Sequence, residues 1–307
     1  MRKWAGLVLV FLGAFLLIAG IVAKVWGPGL AERTPLNVNT FTYLTGTADK
    51  LNSGTGEVET DLPVKYLSVT RADPNISDGD YVAFVNTKCV NIDQDDPPAC
   101  LDENDDRLIT NTVDTFATDR HTAMATDKSQ YLAKDAVPHE GLVNKWPFNT
   151  EKKTYPYWNG ILGTTVDAEY VGTKDYDGLE TYEFSTEVAE TPAEVLDGVQ
   201  GIYSTNETIW VDPRTGSIID QEGGQVLKLE TGDLILDINV AYTDDTVATN
   251  VEDAKANRKT LTILLDVLPP VGVILGLLML VAGGLMIRRS HRSGDHAADD
   301  TVSLAKV

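Results

Sequence analysis

The stretch His139 to Gly160, HEGLVNKWPFNTEKKTYPYWNG, gathers Trp146, Phe148, Tyr155, Tyr157 and Trp158 around Lys145, Lys152 and Lys153 in a chain that is otherwise acidic and poor in aromatic residues. Rings of this kind line pockets for acyl chains or stack on sugar faces, and neighbouring ammonium groups suit a phosphate or carboxylate head. Pro147 and Pro156 stiffen both Trp-bearing arms around the turn Asn149 to Lys153. The plainer alternative is that the rings are core and the lysines sit on an exposed turn. These eight residues form the candidate ligand-binding set.

No other pattern selects a catalytic centre. His291 and His296 lie in the C-terminal tail, leaving His121 and His139 between the two apolar ends of the chain. His139-Glu140 reads as a chance neighbour pair. The sequence has no H-E-x-x-H, no G-x-S-x-G, no glycine-rich phosphate loop and no unpaired cysteine nucleophile. A glycosidase-type carboxylate pair would be hidden among so many acids, and nothing singles one out. The expectation is a binding protein with no cofactor, not an enzyme.

Cys89 and Cys100 bracket a short acidic loop and read as one disulfide, worth about 2–4 kcal/mol. The loop and its continuation hold Asp93, Asp95, Asp96, Asp102, Glu103, Asp105 and Asp106, oxygen ligands of the kind calcium takes. The glycine turn and closing glutamate of an EF-hand are missing, and Pro97 and Pro98 break the run. A solvated, stapled loop without a metal is the expectation.

The elements that must position these residues are mostly strands. In DLILDINVAY, Leu234, Leu236, Ile238, Val240 and Tyr242 fall on one face, with Asp237 and Asn239 on the other, the period of a half-buried strand. It follows QVLKLE through the hairpin signal Thr231-Gly232. ETIWVDPRTGSIID is a second hairpin, turning at Asp212-Pro213 and closing on Gly216. VDAEYVGTKDYDGLETYEFSTEV is a third, turning between Asp175 and Gly178. LPVKYLSVT, GDYVAFVNTKCV and RLITNTVDTFAT add further strands. Two helices are expected: a short one opened by the capping pattern Thr191-Pro192-Ala193-Glu194, and one from Asp244 to Lys259.

Trp4 to Val25 and Val267 to Ile287 are nearly unbroken apolar runs, each long enough to cross a bilayer. A cleaved secretory signal is the competing reading of the first, but its apolar segment is too long and no small-x-small site follows. Arg2 and Lys3 precede the first run, and Arg288, Arg289 and Arg292 follow the second, which puts both termini in the cytoplasm. Lys24 would snorkel at the outer end of the first span beside Trp26, and Pro269-Pro270 would kink the second. The layout is then a cytoplasmic start (1–3), a span (4–26), an extracytoplasmic β-rich domain (27–259), a second span with its lead-in (260–287) and a cytoplasmic tail (288–307).

The chain carries 46 acidic and 25 basic residues, a formal charge of −21, and the acidic excess lies entirely between the spans. That surface repels nucleic acid and anionic lipid headgroups, so neither is expected as a partner by charge attraction. At about 230 residues the intervening domain is large enough for a real core. Gly6, Gly13 and Gly20 share one face of the first span, and Gly272, Gly276 and Gly283 make a small-residue seam on the second. Such seams permit close helix contact, either between the two spans or between chains as a homo-oligomer.

The double-span layout, the aromatic-proline block, ATDRHTA before it and ETIWVDPRTG after it resemble an actinobacterial family of unknown function whose members are often labelled porin PorA family proteins. The resemblance runs from the first span to the second. It implies an envelope protein of the plasma membrane, with members linked to lipoglycan maturation. The architecture is also similar to class B scavenger receptors, whose exterior domains contain a lipid tunnel. The porin label fits the physics poorly, because a transmembrane barrel needs an apolar outer band and this segment is strongly acidic. The reading is a membrane-anchored α+β protein whose exterior domain, an antiparallel sheet or open barrel, binds or transfers an envelope lipid or lipoglycan precursor. The alternatives are a glycan-processing enzyme and a subunit that assembles with other envelope-biosynthesis proteins.

Overall fold

The computed structural model describes the backbone of residues 2–134 and 136–302, and the side chains of 4–134 and 136–290. The chain divides into two compact units, one of residues 1–32 with 259–307, the other of residues 33–258. The side chains of Arg2, Lys3, Arg292, His291 and His296 lie outside the described residues.

In the first unit α1 (Arg2–Ala31) packs against α3 (Leu268–Val302). The helices run antiparallel along the two glycine rows. A Cβ at Gly13 would stand 2.8 Å from the Gly276 carbonyl oxygen, and one at Gly276 would stand 2.7 Å from that of Gly13. Gly6 meets Gly283 in the same way, Gly20 lies against Pro269 and Val273, and Gly272 faces Leu16 and Gly20. Backbones approach this closely only where no side chain intervenes. A π-helical stretch, Thr262–Val267, directly precedes Pro269-Pro270. Pro269 has no N–H for the Leu265 carbonyl, and Lys24 Nζ reaches that oxygen at 3.4 Å and Asp266 at 3.8 Å. The first helix also runs past position 26, to Ala31.

The second unit is a ten-stranded antiparallel sheet, half-barrel in form. Its strands are β1 (Asn39–Leu51), β2 (Val58–Asp73), β3 (Tyr81–Ile92), β4 (Leu108–Asp119), β5 (Tyr155–Asn159), β6 (Thr164–Tyr176), β7 (Leu179–Leu196), β8 (Val199–Val211), β9 (Ile218–Leu229) and β10 (Leu234–Tyr242). Their order is β4-β3-β2-β1-β10-β9-β8-β7-β6-β5, so every strand pairs with its sequence neighbour except that β1 meets β10 and β4 is parted from β5. Isolated bridges Thr118–Ala125, Met124–Leu142 and Leu142–Tyr157 cross that gap, so the segment between β4 and β5 ties the two edges together. Edges joined in this way leave few free backbone groups to recruit another chain.

Turn chemistry fixes the hairpins. Asp177 and Gly178 both have positive φ, 52° and 82°, the type I′ geometry that matches strand twist between β6 and β7. Where β1, β10 and β9 cross, Gly46 and Gly224 lie so close to the backbone or side chain of Asn239 that any Cβ would overlap it, which lets the sheet bend. Helix α2 (Asp244–Leu261) forms as its sequence suggests, and Val251 and Ala254 pack on Leu179 and Ile219.

The expected helix at Thr191-Pro192-Ala193-Glu194 does not form. These residues extend β7, pairing Thr191 with Tyr203 and Leu196 with Val199. Ala193 and Val195 alternate into the core, and this long-range pairing outweighs a local capping pattern. A register shift between Val188 and Thr191 accommodates Pro192.

Candidate functional site

The aromatic block is divided between the inside of the sheet and its margin. Trp146 is fully buried and Tyr155 nearly so, in a cluster with Leu142, Ala168, Phe184, Ile209 and Val211. Trp146 stacks on Tyr157 at 5.2 Å and leans on Phe184 at 5.3 Å between ring centres. Trp158 faces His139 at 4.5 Å. Phe148 lies outside the buried cluster, with the Lys145 ammonium 3.9 Å over its ring. Lys152 sits over Tyr182 and Tyr170, and Lys153 pairs with Glu151 at 2.6 Å beside the Tyr155 ring. The structure therefore brings Trp146, Tyr155 and Tyr157 together and spreads Phe148, Trp158, Lys152 and Lys153 around them.

Most polar groups of the block are engaged with the turn between β8 and β9, Asp212 to Ser217. Trp146 N–H donates to the Gly216 carbonyl at 2.8 Å, and Thr150 N–H to that of Pro213 at 2.8 Å. Lys145 Nζ donates to the carbonyls of Thr215 and Trp146. Gly216 has φ +73°, and a Cβ there would collide with the Trp146 carbonyl. Asp212 is wholly buried beneath this clasp, taking hydrogen bonds from the Thr215 amide and hydroxyl and an ion pair at 3.0 Å from Arg258 on α2. Burial pushes the Lys145 ammonium down to about 7, partly offset by Asp212. The indole N–H of Trp146 has no hydrogen-bond partner among the described residues.

A different set of groups lines the inner face of the sheet. The register carries Leu44 opposite both Tyr66 and Tyr242, and Glu207 opposite Gly223 and Thr186. Tyr66 lies opposite Val90, and Lys88 opposite Ser68, on the same face. Directly opposed residues share a face, so Tyr66, Lys88, Tyr242, Glu207 and Tyr157 form a belt around the middle of the half-barrel. Apolar layers bound it. On one side lie Ala48, Val64, Val90, Tyr203, Leu227 and Ile238, and on the other Phe84 and Phe116 with the Trp146 cluster.

Burial pushes the Glu207 carboxyl up, offset in part by the Lys88 charge. It raises the Tyr157 hydroxyl strongly, with further contributions from Glu207, Tyr242 and Tyr66, so these four groups lie within one another's fields. Tyr66 and Tyr242 are likewise raised, chiefly by burial. Yet Tyr66, Glu207, Tyr157 and Tyr242 all keep partial solvent access. Groups crowded by neighbours yet reached by solvent line the concave side of the half-barrel. Tyr242 Oη meets Gln221 at 3.4 Å, and no protein hydrogen bond or ion pair reaches the Glu207 carboxylate among the described residues. The signal for Glu207 was present in IYSTNETIWV, where Tyr203, Thr205, Glu207, Ile209 and Val211 share one face of β8 and a carboxylate interrupts an otherwise buried stripe.

His139 is buried at the gap between β4 and β5, with Nε2 2.9 Å from Asp114 and Nδ1 2.7 Å from the Val137 carbonyl. Its partner is thus Asp114 rather than the adjacent Glu140. Cys89 and Cys100 form the disulfide. Asn91 steadies the loop through the carbonyls of Pro98 and Ala99. Lys65 pairs with Asp93 and Asp96, and Arg107 with Asp105. No group of three potential metal ligands occurs among the described residues.

No curated protein matches the chain. Among solved structures, an N-terminal dehydratase from the difficidin assembly line aligns over 77% of this chain and 87% of its own at 7% identity and a TM-score of 0.13, a likeness that carries no argument. The model of one family, described as Porin PorA, matches residues 5–285. The two helices of membrane-spanning length, the β-rich domain between them and this match across nearly the whole chain agree: the protein belongs to the PorA family.

Proposed function

We propose that the domain of residues 33–258 lies outside the plasma membrane, held by two spans with both termini cytoplasmic, and binds or transfers an envelope lipid or lipoglycan precursor. One observation carries this reading: the sheet curls and its edges are bridged, so its inner face is separated from a charged outer one. The outer face presents Arg71, Asp167, Glu169 and Glu187 to solvent, as a domain standing in water requires. The disulfide favours an oxidising compartment for the domain, and Arg288 and Arg289 favour a cytoplasmic end for α3. The acidic surface argues against nucleic acid as a partner. The glycine seams are occupied within the chain, which leaves an assembly role without its strongest support. The reading is of a binder and not an enzyme.

Native mass spectrometry with lipid extraction on the gently solubilised full-length protein tests it. A stoichiometric envelope lipid retained by the protein is the expected result, and an apo mass in every preparation would overturn it.

A further inference from the structure

Glu207, Tyr66, Tyr157 and Tyr242 turn polar groups to the partly solvated concave side of the sheet, with the exposed Lys88 at the margin of the belt. Crowding a carboxylate that has no protein hydrogen-bond partner among these side chains costs it part of its hydration, whereas one layer away the same face is filled by Val64, Val90 and Ile238. Polar groups on a concave face that make few protein hydrogen bonds are open to a ligand that pairs with them in place of water. The chemistry of the belt narrows what that is. It holds one carboxylate and one ammonium, so a strongly charged ligand gains nothing from the balance. An acyl chain would leave the carboxylate and the phenol hydroxyls unpaired. The rest of the belt is hydroxyl and aromatic surface: three phenols, the Gln221 amide beside Tyr242, and Asn86 bonded to Ser68 and Thr70 on the same face. Hydroxyl, amide and carboxylate groups set among aromatic rings suit a ligand that both donates and accepts many hydrogen bonds and has a carbon face to stack.

We infer that the middle of the half-barrel is a binding site for a neutral polyhydroxylated group, a sugar ring or similar polyol, with Glu207 and Tyr157 as its principal hydrogen-bonding residues. This rests on the reading of the domain as a binder of an envelope lipid or lipoglycan precursor, and assigns the hydroxylated part of such a ligand to the barrel interior. The outer lysines of the aromatic block then have no part in holding it.

The test uses delipidated full-length protein in nanodiscs and two probes, methyl α-D-glucopyranoside and hexanoate, followed by saturation-transfer NMR. The glucoside is expected to bind saturably and hexanoate not to. Glu207→Leu and Tyr157→Phe should each weaken the glucoside by about tenfold. Glu207→Gln, which keeps hydrogen-bonding atoms, should retain binding within about threefold, and Lys152→Ala with Lys153→Ala should leave it unchanged. Unfolding curves of each variant separate loss of the site from loss of the fold. A wild-type protein that ignores the glucoside, or one whose Glu207→Leu and Glu207→Gln variants bind it as the wild type does, overturns the inference. If the native protein nonetheless retains a lipid in the mass spectrometer, the carrier reading survives and its site lies elsewhere. If it retains none, both fall.

Discussion

The clasp around Trp146 and the belt around Glu207 lie on the same sheet, but the fold treats them differently. In the clasp, Asp212 is met by Thr215 and Arg258, Lys145 by two carbonyls, and the backbone of the aromatic arm by the turn it embraces. In the belt, a carboxylate and several phenols face an interior with few protein partners. The lesson concerns what a conspicuous motif means. The aromatic-proline block and the Asp212 to Gly216 turn are the most distinctive stretches of the sequence, and they are distinctive because they hold each other. The residues left with few protein partners are inconspicuous ones in ordinary strands.

The largest effect should come from the clasp. Gly216→Val places a side chain at positive φ against the Trp146 carbonyl, and a loss of about 3 kcal/mol or more is expected in thermal or denaturant unfolding. A variant as stable as wild type would show that the clasp does not hold the fold. Asp212→Ala removes the acceptor of Thr215 and the partner of Arg258, and should cost about 2–4 kcal/mol by the same measurement.

A smaller effect with a defined pH window belongs to Lys145. Its folded value of about 7 lies below its ordinary 10.5, so the unfolded chain binds the extra proton and stability rises with pH between those values. Lys145→Met should flatten that rise, which stability curves at pH 7 and pH 10 would reveal.

The belt should respond in the opposite sense. Because burial raises the Glu207 carboxyl, its contribution is fully present below the ordinary carboxylate range and is lost as pH rises through the elevated folded value. Glu207→Gln should therefore raise the melting temperature at neutral pH by a few degrees, about 1 kcal/mol, with no gain near pH 4. Stabilisation by Glu207→Gln beside destabilisation by Asp212→Ala would sharpen the contrast between the two regions. Two losses of equal size would erase it.

Much of this architecture was legible because it rests on period and composition. The two apolar runs announce helices of spanning length whatever their surroundings, and the alternation of Leu234 to Tyr242 announces a strand with one buried face. The cysteine pair, the hairpins and the helix after Asp244 are likewise local patterns with local causes. Where a local pattern competed with a distant partner, the partner prevailed: Thr191 to Glu194 carries a good helix start, but pairing with Gln200 to Tyr203 makes it strand. The glycine rows indicated close helix contact, while only the packed structure decided that α1 and α3 use them on each other. The aromatic block offered a choice between pocket and core, and burial took Trp146 and Tyr155 into core while leaving Tyr157 on the belt. Glu207 is the clearest case of what sequence alone leaves undecided. Its position on the buried stripe of β8 follows from a period of two, but that the stripe faces a concave and partly solvated side of the sheet depends on β4 and β5 being tied together across the gap between them.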